Sequence, residues 1–160
     1  MAPSSLQDIA ILLPLLLGLL IIVLTIGVHA VALGATAQII RREYHVQRAG
    51  RGFWTDTVIV GVVTVVALFA HLFEIAIWAV LYEACGEFTG FGPAFYHSAV
   101  NYTTLGYGDL VMSSSWRLLG PLEAADGMLL FGVSTAIIFA VMQRLFQTRS
   151  AAVHAAHKHH

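Results

Sequence analysis

Chemistry in this 160-residue chain concentrates in one run, Thr103-Thr104-Leu105-Gly106-Tyr107-Gly108-Asp109. Two glycines flank one aromatic directly after a Thr pair. Such a run lets a short stretch of backbone expose successive carbonyls on one side, a geometry that can replace the hydration shell of a monovalent cation. The expected ion ligands are the carbonyls of Thr104, Leu105, Gly106 and Tyr107, with the Thr104 hydroxyl at the inner end. Asp109 would set a carboxylate at the entrance and raise the local cation concentration.

The chain that must position this run is built for a bilayer. It is 58% hydrophobic and 11% charged, about half the charged share of a soluble domain. The expected fold is an all-α membrane protein with three spans and a re-entrant helix between the second and third. The first span, Ile9 to Ala37, carries no Asp, Glu, Lys or Arg and opens residues 1–40 as an N-terminal helix. Met1 to Asp8 lacks the positive stretch of a signal peptide, so this span is expected in the mature protein.

A basic linker follows over 41–56, with Arg41, Arg42, Arg48 and Arg51. It marks the cytoplasmic side, leaving the N-terminus outside, and offers a contact for anionic lipid headgroups. The pore module, 57–146, then comprises a span at 57–82, a short helix at 93–102 opening on Pro93, the loop 103–109 and a last span at 118–146. A ten-residue helix cannot cross a bilayer, and irregular backbone at membrane depth is tolerated only where protein or water satisfies it. A His-rich cytoplasmic tail, 147–160, ends the chain and has no assigned role. Seven of the eight basic residues then share one side, Arg117 being the exception, as the positive-inside rule requires. The single cysteine, Cys85, excludes an intramolecular disulfide.

The loop resembles the Thr-Val-Gly-Tyr-Gly-Asp signature of potassium channels, with Leu105 where Val usually stands. From Ala94 to Arg144 the likeness continues. Ala94-Phe95-Tyr96-His97-Ser98-Ala99-Val100 resembles a pore helix, and Trp116-Arg117-Leu118, Gly127 and Phe131-Gly132 resemble the inner helix of small bacterial channels with one pore loop per chain. That resemblance implies a homotetramer conducting potassium passively, because one loop supplies a quarter of each carbonyl ring. It also implies a gating hinge at Gly127 and turns to the cavity a helical face of Met128, Phe131, Thr135 and Phe139; on that face Phe139, with Met142, is expected to form a hydrophobic constriction near the cytoplasmic end. Tyr96 would fasten the filter through Asp109, and His97 through Tyr107. Altered packing at Leu105 would instead give a weakly selective cation channel. The first span falls outside the resemblance and is expected to be peripheral.

Three carboxylates lie within the spans, Glu74, Glu123 and Asp126, with His71 one turn deeper than Glu74 on the same face. Each carboxylate would cost about 3 kcal/mol facing lipid, so all should face protein or water. The expected role is to brace the short helix through Ser98 or Asn101. His71 and Glu74, three residues apart, also form half a metal site, and a membrane metalloenzyme using them with His29 is the competing class. His29 is read at a different depth and no second pair exists, so no metal ligand beyond the permeant ion and no cofactor is expected. Nothing points to nucleic acid, and the absence of a substrate pocket or cofactor motif argues against an enzyme.

Overall fold

The computed structural model describes residues 4–45 and 52–157, with side chains described over 11–42 and 52–150. Four helices and no strand make up the described residues: α1 (Ser4–His45), α2 (Phe53–Ala84), α3 (Phe91–Tyr102) and α4 (Leu119–His157). Three of them contain 32-residue stretches apolar enough to cross a membrane, Ile11–Arg42, Phe53–Ala84 and Leu119–Ser150. At 1.5 Å per residue each reaches about 48 Å, against a hydrocarbon core of about 30 Å.

The helices overrun the limits set by apolar character. Residues 41–45, expected in the linker, continue α1, and Phe53 to Asp56 already belong to α2. Charge ends an apolar span, not a helix, and Arg and Glu are good helix formers. Arg41 and Arg42 lie exposed on α1, while Arg48 and Arg51 lie outside the described residues. α4 likewise runs on past Phe146 to His157. α3 begins at Phe91, two residues before Pro93, which still falls in the first turn where a missing N–H costs nothing. Gly90 precedes it at φ 95.

The described residues divide into two compact units. One combines the part of α1 up to His29 with His71–Phe131. Its core is Ile75, Trp78, Ala79, Tyr82, Ala94, Tyr102 and Leu119, with Ile21 and Ile22 of α1 and Leu122 of α4 packed against it. The other combines Ala30–Ala70 with the chain from Gly132 onward. It is centred on Ile59, Val141 and Leu145, with Ile40, Val60 and Ile137 beside them.

α1 is therefore not peripheral to the first unit. Its buried positions are Pro14, Gly18, Thr25, His29 and Thr36, separated by 4, 7, 4 and 7 residues. That spacing keeps one narrow stripe of a helix turned to its partners. The stripe holds Gly18, Thr25, His29 and Thr36, while Leu16, Leu19, Leu20, Val23 and Leu24 are exposed, as suits lipid. At Gly18 an added Cβ would come within 2.5 Å of Leu122 Cδ1.

Candidate functional site

The run from Thr103 to Asp109 leaves the C-terminus of α3 without secondary structure beyond Thr104 and is exposed throughout. Its backbone donors turn back on the helix end. Thr103 N–H donates to the Ala99 carbonyl (3.2 Å), Thr104 N–H to Asn101 (2.8 Å), and Leu105 and Gly106 N–H both to Val100 (2.9 and 3.3 Å). Among the described residues, no hydrogen bond reaches the carbonyls of Thr104 to Tyr107. The φ angles at Thr104, Gly106 and Gly108 are 59°, 60° and 72°, and no other described non-glycine residue takes a positive φ.

Every second residue is thus left-handed. Alternation of hand turns successive carbonyls to the same side, where a strand would turn them to opposite sides. Glycine adopts this freely at 106 and 108. Thr104, β-branched, adopts it at a cost of about 1–3 kcal/mol, the kind of strain that clusters at functional sites.

Two contacts hold the loop from the side. Tyr96 donates its hydroxyl to Asp109 Oδ2 at 2.8 Å. This bond, the largest influence on Asp109, holds its carboxyl below the usual carboxylate range. A pH consequence follows. The Asp109 charge and the Tyr96 bond are present at neutral pH and are lost as pH falls through the lowered pKa. Tyr96→Phe returns that pKa towards its ordinary value, so the acid limb of any Asp109-dependent ion flux is expected to move to higher pH; an unchanged limb would separate Asp109 from the flux.

His97 departs from expectation. Its Nδ1 lies 3.1 Å from the Leu110 carbonyl, and its Nε2 is 2.8 Å from the Asn101 side-chain nitrogen. A carbonyl only accepts, so Nδ1 carries the proton and Nε2 accepts from Asn101. That leaves the ring no bond to Tyr107 within the chain. Position 97 thus holds the segment after the loop through the main chain of Leu110.

Behind the loop, α1, α2, α3 and α4 bring their ionisable groups together. Glu74 is fully buried. Its Oε1 accepts from His29 Nδ1 (2.9 Å), and its Oε2 from Tyr102 (2.5 Å) and His71 Nδ1 (3.1 Å). Asp126 Oδ2 accepts from Thr25 (2.8 Å) and Trp78 Nε1 (3.0 Å). Glu123 Oε2 accepts from Tyr82 (2.5 Å), and its Oε1 lies 2.5 Å from the Ser98 hydroxyl. Ser98 is also 2.8 Å from the Ile75 carbonyl.

Each carboxylate thus meets protein donors instead of lipid. Glu123 reaches α3 through Ser98, and Glu74 reaches it through Tyr102. Asp126 instead ties α1 to α2. His29, read from sequence at another depth, is a direct partner of Glu74. Depth counted from the end of an apolar run fails for α1, whose helix extends well past that run.

Gly127 lies where α4 crosses the end of α3. A Cβ there would stand 2.1 Å from the Tyr102 carbonyl oxygen and 3.0 Å from its carbon. Met128, Phe131, Thr135 and Phe139 are all exposed on α4, whereas Glu123, Asp126, Gly127, Leu130 and Ser134 are buried. An open groove of about 580 Å³ borders the loop, lined by Val100, Asn101, Thr104, Gly106, Gly108 and Ala124 among others.

Sequence reasoning missed Thr25, Trp78, Tyr82 and Tyr102 as members of the polar cluster. The signal for the first was available: Gly18, Thr25, His29 and Thr36 interrupt an aliphatic helix at spacings of 7, 4 and 7, and they share its stripe. The three aromatics read as packing until their polar tips are seen to meet carboxylates.

Residues 70–144 match a family whose description is ion channel. The match spans all of α3, the loop 103–109 and the buried cluster except its α1 members, and it supports an ion-channel family for this part of the chain. No curated protein and no solved structure matches the chain.

Proposed function

We propose that the protein is a potassium-selective channel that acts as a homotetramer and conducts passively, without catalysis. The observation that carries this reading is the alternation of positive φ at Thr104, Gly106 and Gly108, together with carbonyls from Thr104 to Tyr107 that accept no hydrogen bond among the described residues. A carbonyl row left unbonded needs water or a cation. One chain gives one such row, and four rows around an axis surround a dehydrated potassium ion.

In this reading ions lose water beside Asp109, pass the rings of Tyr107, Gly106, Leu105 and Thr104, and enter a cavity lined by Met128, Phe131, Thr135 and Phe139. Phe139 with Met142 narrows its far end. The groove beside the loop is where a neighbouring subunit packs. Basic residues set the orientation, N-terminus outside, C-terminus cytoplasmic, in the cell membrane, and Arg41 and Arg42 meet anionic lipid, with Arg48 and Arg51 in the same linker. No cofactor is needed, since the potassium ion is cargo.

The test is a reversal potential. Purified protein in a planar bilayer, under opposed potassium and sodium gradients, is expected to reverse close to the potassium equilibrium potential. Reversal near zero would assign a weakly selective pore, with Leu105 as the residue to revert to Val, and absence of current would remove the channel reading.

A further inference from the structure

We propose that His29, His71 and Glu74 bind a divalent transition-metal ion of the zinc type, with the Tyr102 oxygen or a water as fourth ligand. The three residues come from two helices, 42 positions apart in sequence at the nearest, yet their ligand atoms all lie within 4.8 Å of one another. All three are buried, at 2%, 4% and 0% exposure.

The spacing suits a tetrahedral ion. Bonds of about 2.0–2.1 Å to nitrogen and oxygen put neighbouring ligand atoms about 3.3–3.4 Å apart. Here His29 Nδ1 stands 2.9 Å from Glu74 Oε1, His71 Nδ1 stands 3.1 Å from Oε2, and His71 Nδ1 stands 3.0 Å from the Tyr102 oxygen. The short pairs engage both Glu74 oxygens, and the three donor atoms lie within 4.8 Å of one another, so an ion would draw the two imidazoles together about the carboxylate. The Nδ1 atoms that donate to Glu74 turn lone pairs to the ion once each proton moves to Nε2.

Charge points the same way. The buried residues of this unit include Glu74, Glu123 and Asp126 but, among the described residues, no Lys or Arg. A dication beside Glu74 supplies the missing positive charge, and imidazole with carboxylate is a donor set that zinc accepts. The His71 ring is flanked by Phe131, centroids 4.2 Å apart, as well as by His29 and Tyr102, and Phe131 is itself 37% exposed. A bound ion would join α1 and α2 beside Tyr102, the last residue of α3, directly before Thr103.

The experiment uses the full chain with His154, His157, His159 and His160 changed to Ala, since a tail rich in histidine binds metal by itself. After chelation, the protein in detergent is titrated with Zn2+ alone and with Co2+ alone. The expected result is one ion per chain, a Co2+ visible spectrum of tetrahedral intensity, and a higher melting temperature with Zn2+. His29→Gln and His71→Gln should each weaken binding by about 100-fold. Binding that survives both substitutions, an octahedral Co2+ spectrum, or no retained Zn2+ would overturn the proposal and leave a purely hydrogen-bonded cluster. If a Gln variant does not fold, the Co2+ spectrum of the parent chain decides. None of these readouts involves conduction, so failure here leaves the channel reading standing, and failure of that reading leaves this site testable.

Discussion

Gly127→Ala is expected to lower the stability of the purified protein by about 1–2 kcal/mol and to reduce ion flux with it. Helix propensity alone predicts the opposite, because alanine in a helix interior gains about 1 kcal/mol over glycine. The new Cβ, however, would lie 2.1 Å from the Tyr102 carbonyl oxygen. That atom is backbone at the end of α3 and cannot swing aside as a side chain could. Overpacking costs about 1–3 kcal/mol even in cores that yield, so a contact this close belongs at the upper end and outweighs the propensity gain.

Relief requires α4 to draw back from α3, which moves the carbonyl immediately preceding Thr103. A matched comparison is Gly132→Ala, where the added Cβ meets nothing within 4 Å and propensity should prevail. Thermal melting of both variants, with potassium flux from liposomes, checks the pair. A hinge at Gly127, as the family resemblance implies, predicts instead an altered open probability at unchanged melting temperature.

Gly106→Ala is expected to abolish selective conduction while leaving the fold nearly as stable as before. At φ +60 an L side chain pays about 1–2 kcal/mol, and in a tetramer four subunits pay it together around one axis. Yet within the chain the Cβ meets no atom within 4 Å, so the penalty is conformational and falls on the loop alone. The easiest escape is rotation of the peptide, which turns a carbonyl away and breaks the alternation with Thr104 and Gly108. Melting curves and reversal potentials measured on the same preparation separate the two effects. If Gly106→Ala conducts with unchanged selectivity, these carbonyls do not line the ion path.

The sequence by itself determined the class of protein and where its irregular backbone lies. Three long apolar runs demand helices because unpaired backbone is too costly in lipid, and a glycine at every second position after Thr104 signals a main chain that must alternate its hand. These are local properties, decided within a few residues or by composition. Charge at Arg41 and Arg42 misled only as to where α1 stops.

What tertiary structure decided was partnership. A helix apolar on all sides carries no clear face in its pattern, so α1 read as peripheral until Thr25 and His29 were found against Asp126 and Glu74. For Gly127 the sequence offered only the hinge that the resemblance implies, and packing adds that the Tyr102 carbonyl closely approaches the place of its missing side chain. Hydrogen bonds between residues 45 and 101 positions apart, as for His29 with Glu74 and Thr25 with Asp126, depend on the rotation and depth at which helices meet. Packing sets those quantities, and no spacing along one helix records them.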